Sequence, residues 1–291
     1  MKLIDGKEVS SAIKEEIKKE VSEIIDSGKR APHLVAIIVG DDPASHTYVN
    51  NKEKASVSVG ITSTVYKLPA NITQEDLLET INFINNDDEI DGMIVQLPLP
   101  DHINKDIVIN AIDPSKDVDG FHPMNVGKMV TGEDTFLPAT PFGILKMLEY
   151  YKIETSGKHC VVVGRSNIVG TPVSILLSRK AYPGDCTVTV CHSRTQNIKD
   201  FCLQADILIA AIGKPNFITE DMVKKDAVVI DVGTNQVKSD KTKSGFALVG
   251  DVDFAEVSKK ASYISPVPGG VGPMTITGLL LNTLKAYKMK G

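Results

Sequence analysis

Val161-Val162-Val163-Gly164-Arg165-Ser166-Asn167-Ile168-Val169-Gly170-Thr171-Pro172 reads as a buried strand, a glycine turn and the first turn of a helix. Consecutive valines suit a strand covered on both faces. Pro172 suits an early helical position, where its missing N–H leaves no bond unmade. A strand, a glycine turn and a helix in this order open a Rossmann-like βαβ unit. The usual G-x-G-x-x-G fingerprint is absent, because Arg165 and Ser166 occupy the turn between Gly164 and Gly170. The assignment therefore rests on the strand before the turn and the helix after it.

Downstream, Thr187–Val190, Ile207–Ala210 and Val228–Val232 are further short apolar runs, with short helix candidates at 197–204 and 220–224. Strands alternating with helices predict a parallel sheet. Open sheets of this kind bind ligands at the carboxyl ends of their strands. That edge carries Gly164, Arg165 and Ser166, then Ser193 and Arg194, then Gly213, then Asp231, Gly233 and Thr234. An NAD-selective unit places an acidic residue near the end of its second strand to hold the ribose 2′-hydroxyl. Here Ser193 and Arg194 stand there, and a hydroxyl beside a guanidinium suits a 2′-phosphate. Arg165 adds a second positive charge. NADP is expected over NAD, although a solvated surface arginine is the plainer account of Arg194.

Upstream, apolar residues recur at helical spacing from Gly6 to Ser27. Strands are expected at 34–39, 61–68 and 92–97, with helices through Tyr48 and Lys52 and over 75–84. The stretch 113–141 is rich in Asp, Gly and Pro and reads as a functional loop that crosses between domains. A helix follows over 141–151. The chain ends in an apolar helix over 275–288, with Thr275 or Thr277 as its cap, that packs back on the first domain. The expected organisation is a two-domain α/β protein with a parallel-sheet catalytic domain and a Rossmann-like NADP-binding domain. The first would comprise 1–139 and 271–291 and the second 140–270, with the active site in the cleft between them.

The 291 residues suffice for two ordinary domains, and 42% hydrophobic with 24% charged residues is a soluble globular composition. A formal net charge of -5 argues against a nucleic-acid or anionic-membrane partner. Charge arrives too early at the N-terminus for a signal peptide, and no apolar run reaches the roughly 20 residues of a membrane span. Cys160, Cys186, Cys191 and Cys202 form no C-x-x-C pair, so buried thiols in a reducing cytoplasm are expected and no metal site.

Four further segments carry chemistry. Tyr48 and Lys52 are four apart and share a helix face. Their spacing resembles that of short-chain dehydrogenases, but here the pair precedes the cofactor unit. Gln96 ends a strand in Val95-Gln96-Leu97-Pro98-Leu99-Pro100, and Asp119 lies in Lys116-Asp117-Val118-Asp119-Gly120-Phe121-His122-Pro123. Alone, Gln96 reads as a polar strand end and Asp119 as a turn cap. Ser265-Pro266-Val267-Pro268-Gly269-Gly270-Val271-Gly272-Pro273-Met274-Thr275 is a loop whose backbone can approach a ligand, or a tight connector.

With Pro138-Ala139-Thr140-Pro141 and Gly164-Arg165-Ser166, these motifs in this order resemble the bifunctional methylenetetrahydrofolate dehydrogenase/cyclohydrolase family over nearly the whole chain. The resemblance implies that 5,10-methylenetetrahydrofolate is oxidised with NADP to the 5,10-methenyl cation, which water then opens to 10-formyltetrahydrofolate. It implies Lys52 as the central catalytic residue, Tyr48 orienting the folate and Gln96 contacting Lys52. It further implies Asp119 on the pterin, Ser45 near the Lys52 network, and Pro268, Gly269 and Gly270 as substrate-binding residues. A cytoplasmic homodimer serving one-carbon metabolism and purine biosynthesis is expected. Ala139 departs from the family, many of whose members carry cysteine there. The competing expectations are a dehydrogenase without the hydrolytic step, a shikimate-dehydrogenase-like enzyme, or an NADP-binding sensor without catalysis.

Overall fold

The computed structural model describes residues 1–240, 242 and 245–290. In chain order the first half runs β1 (Lys2–Leu3), α1 (Gly6–Asp26), β2 (His33–Val39), α2 (Pro43–Ser58), β3 (Thr62–Leu68), α3 (Gln74–Asn85), β4 (Gly92–Val95), α4 (Lys105–Ala111) and α5 (Pro123–Thr131). The second half runs α6 (Ala139–Tyr150), β5 (His159–Val163), α7 (Gly170–Ser178), β6 (Thr187–Cys191), α8 (Ile198–Cys202), β7 (Ile207–Ala210), β8 (Val228–Asp231), β9 (Asn235–Lys238), β10 (Phe246–Val249), α9 (Phe254–Val257), β11 (Tyr263–Ile264) and α10 (Val271–Lys290).

Two compact units emerge, one of residues 1–11 and 140–275 and the other of 12–139 and 276–291. The N-terminal segment thus falls with the second sheet rather than with the first domain expected from sequence. The reason is local. β1 pairs in parallel with β11, Lys2 against Tyr263 and Leu3 against Ile264, and Ile4 N donates to Ile264 O at 2.8 Å.

The unit of residues 12–139 and 276–291 holds a three-stranded parallel sheet in the order β3-β2-β4. β2 is apolar on both faces. Leu34, Ala36 and Ile38 join a core with Ile17, Val21, Val49, Leu280 and Leu284, while Val35, Ile37 and Val39 join Leu77, Ile81, Ile84 and Val108. Burial of each such side chain contributes about 1.5–3 kcal/mol, so both faces must be covered by helices. The sequence reading missed α4, whose seven residues show too little of a period, and α5, which the Asp, Gly and Pro content of 113–141 masks. Asn104 caps α4 by accepting from Asp106 N and Ile107 N, and Pro123 sits at the start of α5.

The other unit holds a six-stranded parallel sheet in the order β1-β11-β8-β7-β5-β6. The order reverses at β5, which pairs with β6 on one side and β7 on the other. The paired strands β9 and β10, which were not foreseen, form a separate antiparallel hairpin. α10 begins at Val271, inside the Pro- and Gly-rich segment. Thr275 is therefore not a cap: it lies in the first turns, with its hydroxyl 2.8 Å from that of Thr140. No described helix is long and apolar enough to cross a membrane.

Candidate active site

α2 carries the first group of candidate side chains. Asp42 caps it, accepting from Ser45 N at 2.8 Å, and Pro43 occupies its first turn. The buried face consists of Ser45, Val49, Lys52, Ala55 and Ser56. Helical spacing therefore forces Lys52, only 5% exposed, onto a face otherwise made of small and apolar groups. Its Nζ donates to Gln96 Oε1 at 3.2 Å and lies 4.7 Å from the centroid of the Tyr48 ring.

Gln96 is delivered by the sheet. It follows the last residue of β4, and its N–H continues the ladder to Ile37 O at 2.8 Å. Its Nε2 donates to Leu97 O at 2.7 Å, which turns Oε1 toward the lysine. Burial pushes the Lys52 pKa down, opposed by the charge of Asp119. Burial pushes the Asp119 pKa up, opposed by Lys52 and reinforced by Asp117. The arrangement favours a neutral amine, fixed by an uncharged amide, beside an acid of raised pKa.

The loop bearing Asp119 is held from below. The buried Asp117 carboxylate accepts from Phe121 N at 3.3 Å, His122 N at 2.8 Å and Asn125 Nδ2 at 2.9 Å. Asn282 Nδ2 donates to Val118 O and Leu137 O, each at 2.8 Å. Gly120 has φ +73°, and a Cβ there would lie 2.7 Å from the Leu137 carbonyl carbon. Asp-Gly at 119–120 thus meets a conformational need, and Asp117 acts in scaffolding.

Ser45 shares the buried face of α2 with Lys52, and its Oγ donates to Asp42 Oδ2 at 2.7 Å, which ties the residue into the helix cap.

In the unit of residues 1–11 and 140–275, the loops after β8, β7, β5 and β6 line up in sheet order along one edge. Gly164 has φ +132°, and a Cβ there would lie 2.0 Å from Ala211 O. A Cβ at Gly170 would lie 2.2 Å from Gly164 O. Arg165, Ser166, Ser193, Arg194, Gly213 and Thr234 are exposed along this edge. Ser166 Oγ accepts from Val169 N at 3.1 Å, which secures the turn before α7. His192 Nδ1 accepts from Arg194 N at 3.1 Å and fixes the turn that presents the arginine.

Asp231 was expected in this set and is corrected. It is 2% exposed, and its carboxylate accepts from Gly233 N, Asp251 N and Val252 N at 2.9–3.0 Å. Burial raises its pKa to about 6 despite those bonds. Its oxygens are engaged by backbone within the loop rather than turned to a ligand. Gly233 is buried against the same network, where a Cβ would lie 2.3 Å from Asp251 N. Asp251 was missed by sequence reasoning, and the one signal for it was a Gly-Asp pair following an apolar run.

Pro268 is exposed, whereas Gly269 and Gly270 are buried. Gly269 has φ +108°, and its carbonyl accepts from Lys7 N at 3.2 Å. A Cβ on Gly6 would lie 1.7 Å from Gly270 O. Close packing of this loop on the start of α1 accounts for its glycines. Among the described residues, no group of three or more His, Cys, Asp or Glu side chains is placed to hold a metal.

A parallel sheet whose glycine turn leads into a helix, with two arginines at its carboxyl edge, defines a dinucleotide-binding unit. A buried amine held by an amide, with the ionisable Asp119 nearby, makes a candidate site for proton transfer in the other unit. Together they mark a nucleotide-dependent enzyme with acid–base chemistry.

Comparison with known proteins narrows that class. The family model for the catalytic domain of tetrahydrofolate dehydrogenase/cyclohydrolase matches residues 4–119, and the model for the NAD(P)-binding domain of the same family matches 138–291. The chain is 59% identical over 290 residues, covering all of both proteins, to the bifunctional protein FolD of Cytophaga hutchinsonii. The crystal structure of the bifunctional FolD methylenetetrahydrofolate dehydrogenase/cyclohydrolase of Campylobacter jejuni is 50% identical over all of both chains, with a TM-score of 0.93. The Trypanosoma brucei dehydrogenase-cyclohydrolase, solved with NADP and an inhibitor, is 40% identical over 99% of this chain and 97% of that one, also with a TM-score of 0.93. The chain belongs to the tetrahydrofolate dehydrogenase/cyclohydrolase family.

Proposed function

We propose that Lys52, held neutral by burial and positioned by Gln96, is the general base of the hydrolytic half of a bifunctional enzyme. That enzyme oxidises 5,10-methylenetetrahydrofolate with NADP and hydrolyses the resulting 5,10-methenyl cation to 10-formyltetrahydrofolate. The burial of Lys52 at 5% exposure, with Gln96 Oε1 at 3.2 Å, carries the reading. Water attacks the methenyl carbon while Lys52 takes one of its protons; the hydroxyl proton of the adduct then passes to N5 as the bond to N5 breaks, which leaves the formyl group on N10. A neutral amine suits this step, since the cationic substrate would repel an ammonium. Tyr48 offers a ring face for the folate. Asp119 is the acceptor for the amino group and ring N–H of the pterin edge. Pro268, Gly269 and Gly270, which belong to the other compact unit, are proposed as substrate-binding residues in their own right.

The residues of the sheet edge fit a dinucleotide. The space at Gly164 and Gly170 admits backbone but no side chain, as a pyrophosphate turn requires. NADP supplies the hydride acceptor. Arg165 and Arg194, with Ser166 and Ser193, would hold its 2′-phosphate, and the Gly213 and Gly233-Thr234 loops its nicotinamide half. We assign the unit of residues 12–139 and 276–291 to folate and the sheet unit to NADP. A homodimer is part of the proposal, supported by the edge strand β6, on which Val190 is 38% exposed. A cytoplasmic location is supported by four free, buried cysteines, and the product is a one-carbon donor of the kind purine biosynthesis consumes.

Two experiments test these roles. Gln96→Glu puts a carboxylate against Lys52 and raises the lysine pKa. Cyclohydrolase activity depends on the neutral amine, so it should fall as pH falls through that pKa and level off above it. The variant's profile should move to higher pH. At neutral pH the rate should fall at least about tenfold, because each unit of displacement leaves tenfold less neutral amine. An unmoved profile removes Lys52 as the base. Replacing Arg165 and Arg194 together by glutamine should raise the KM for NADP by about tenfold or more and leave that for NAD within about twofold. Equal losses for the two nucleotides would end the 2′-phosphate assignment.

A further inference from the structure

Asp251 is fully buried, yet its carboxylate is the most heavily bonded on the sheet edge. Oδ2 accepts from Ile212 N at 2.6 Å and Gly213 N at 2.9 Å. Oδ1 accepts from Lys214 N at 3.0 Å and Asn235 Nδ2 at 2.8 Å. Three consecutive N–H groups after β7 therefore converge on one side chain, and the fourth donor comes from the residue that opens β9. Asp251 is itself held by Asp231, whose Oδ1 accepts from Asp251 N at 2.9 Å and from Gly233 N at 3.0 Å. The loops after β7 and β8 are thus joined by two carboxylates rather than by direct backbone pairing.

From this geometry we infer that Asp251 is a positioning residue for the dehydrogenase reaction. It sets the shape of the 212–214 and 233–235 loops against the nicotinamide half of the dinucleotide and has no part in the hydrolytic step. The inference rests on the reading of this sheet edge as the NADP site. A carboxylate is required because all four partners are donors. Each oxygen accepts from two of them, so an amide would turn its own N–H₂ group toward two donors in a dry site. The contacts lie on the β7–β8 side of the edge, away from Arg194 at the end of β6. The consequence should not depend on the 2′-phosphate.

The test uses the full-length enzyme and three assays: dehydrogenase with NADP, dehydrogenase with NAD, and hydrolysis of supplied methenyltetrahydrofolate without nucleotide. Asp251→Asn should lower kcat/KM for NADP and for NAD by the same factor, at least about tenfold, and leave hydrolysis within about twofold. The milder Asn235→Ala, which removes one donor and strands no buried like partner, should lower both nucleotide values by about threefold with an unchanged melting temperature. Unchanged nucleotide kinetics in both variants would overturn the inference. A parallel fall of all three activities with lowered melting would also overturn it, since that marks a purely structural residue. The underlying reading fails separately. If the Arg165 and Arg194 replacements leave NADP binding untouched, the cofactor does not sit on this edge, whatever Asp251 does.

Discussion

Lys52→Met should abolish hydrolysis of methenyltetrahydrofolate, with the rate falling by about 10²–10⁴-fold, the usual contribution of a positioned acid or base. Methionine keeps the length and apolar stem of lysine, so it can occupy the same buried face of α2 beside Val49, Ala55 and Ser56. The fold should survive, because a desolvated amine is exchanged for a thioether that carries no solvation penalty. Gln96 loses the donor to its Oε1 but retains its bond to Leu97 O. Hydride transfer depends chiefly on proximity of the methylene carbon to the nicotinamide ring, so dehydrogenase activity should decline less. The two effects separate in one cuvette. NADPH should still form while the methenyl absorbance accumulates instead of decaying. Full hydrolytic activity in this variant, with a melting temperature unchanged from the wild type, would remove the lysine from the reaction.

Spacing singled out Tyr48 and Lys52 as a pair, whereas Gln96 and Asp119 became candidates only through the resemblance. Spacing could say that Tyr48 and Lys52 share a helix face, but not that the face is buried. That follows from the cover given to α2 by β2 and by the apolar residues of α10, more than 200 positions away in the chain. Gln96 lies 44 residues from Lys52, and only the parallel pairing of β2 with β4 carries the one to the other. The central apolar strands were legible because continuous Val, Ile and Leu runs need cover on both faces. β1 and β11 were not, since two-residue strands have no periodicity to read. Asp231 was misplaced because a short polar side chain at the end of a strand can satisfy nearby N–H groups as readily as face a ligand. Asp251 escaped notice because its partners lie 16 to 39 residues away and belong to two loops.

Gly164→Ala should eliminate the NADP-dependent reaction while sparing the hydrolytic one. The glycine sits at φ +132°, which L side chains rarely adopt, and its added Cβ would stand 2.0 Å from Ala211 O and 2.8 Å from Ala211 C. Backbone strain of this kind costs about 1–3 kcal/mol, and the overlap comes on top of it. Ala211 cannot yield easily, because its N–H is bonded to Val163 O at 2.8 Å and the next three N–H groups are fastened to Asp251. The turn at 164–166 must therefore move, and Gly170 lies too close to the Gly164 carbonyl to leave room on the other side. Displacement of about 1 Å in a positioning element is enough to cost roughly 10²-fold in rate. Dehydrogenase activity should fall by at least about that factor, with weakened NADP binding by fluorescence titration. Lys52, Gln96 and Asp119 belong to the other compact unit, so hydrolysis of supplied methenyltetrahydrofolate should remain within about threefold of the wild type. Unimpaired NADP reduction in Gly164→Ala would mean that this turn is not where the pyrophosphate binds.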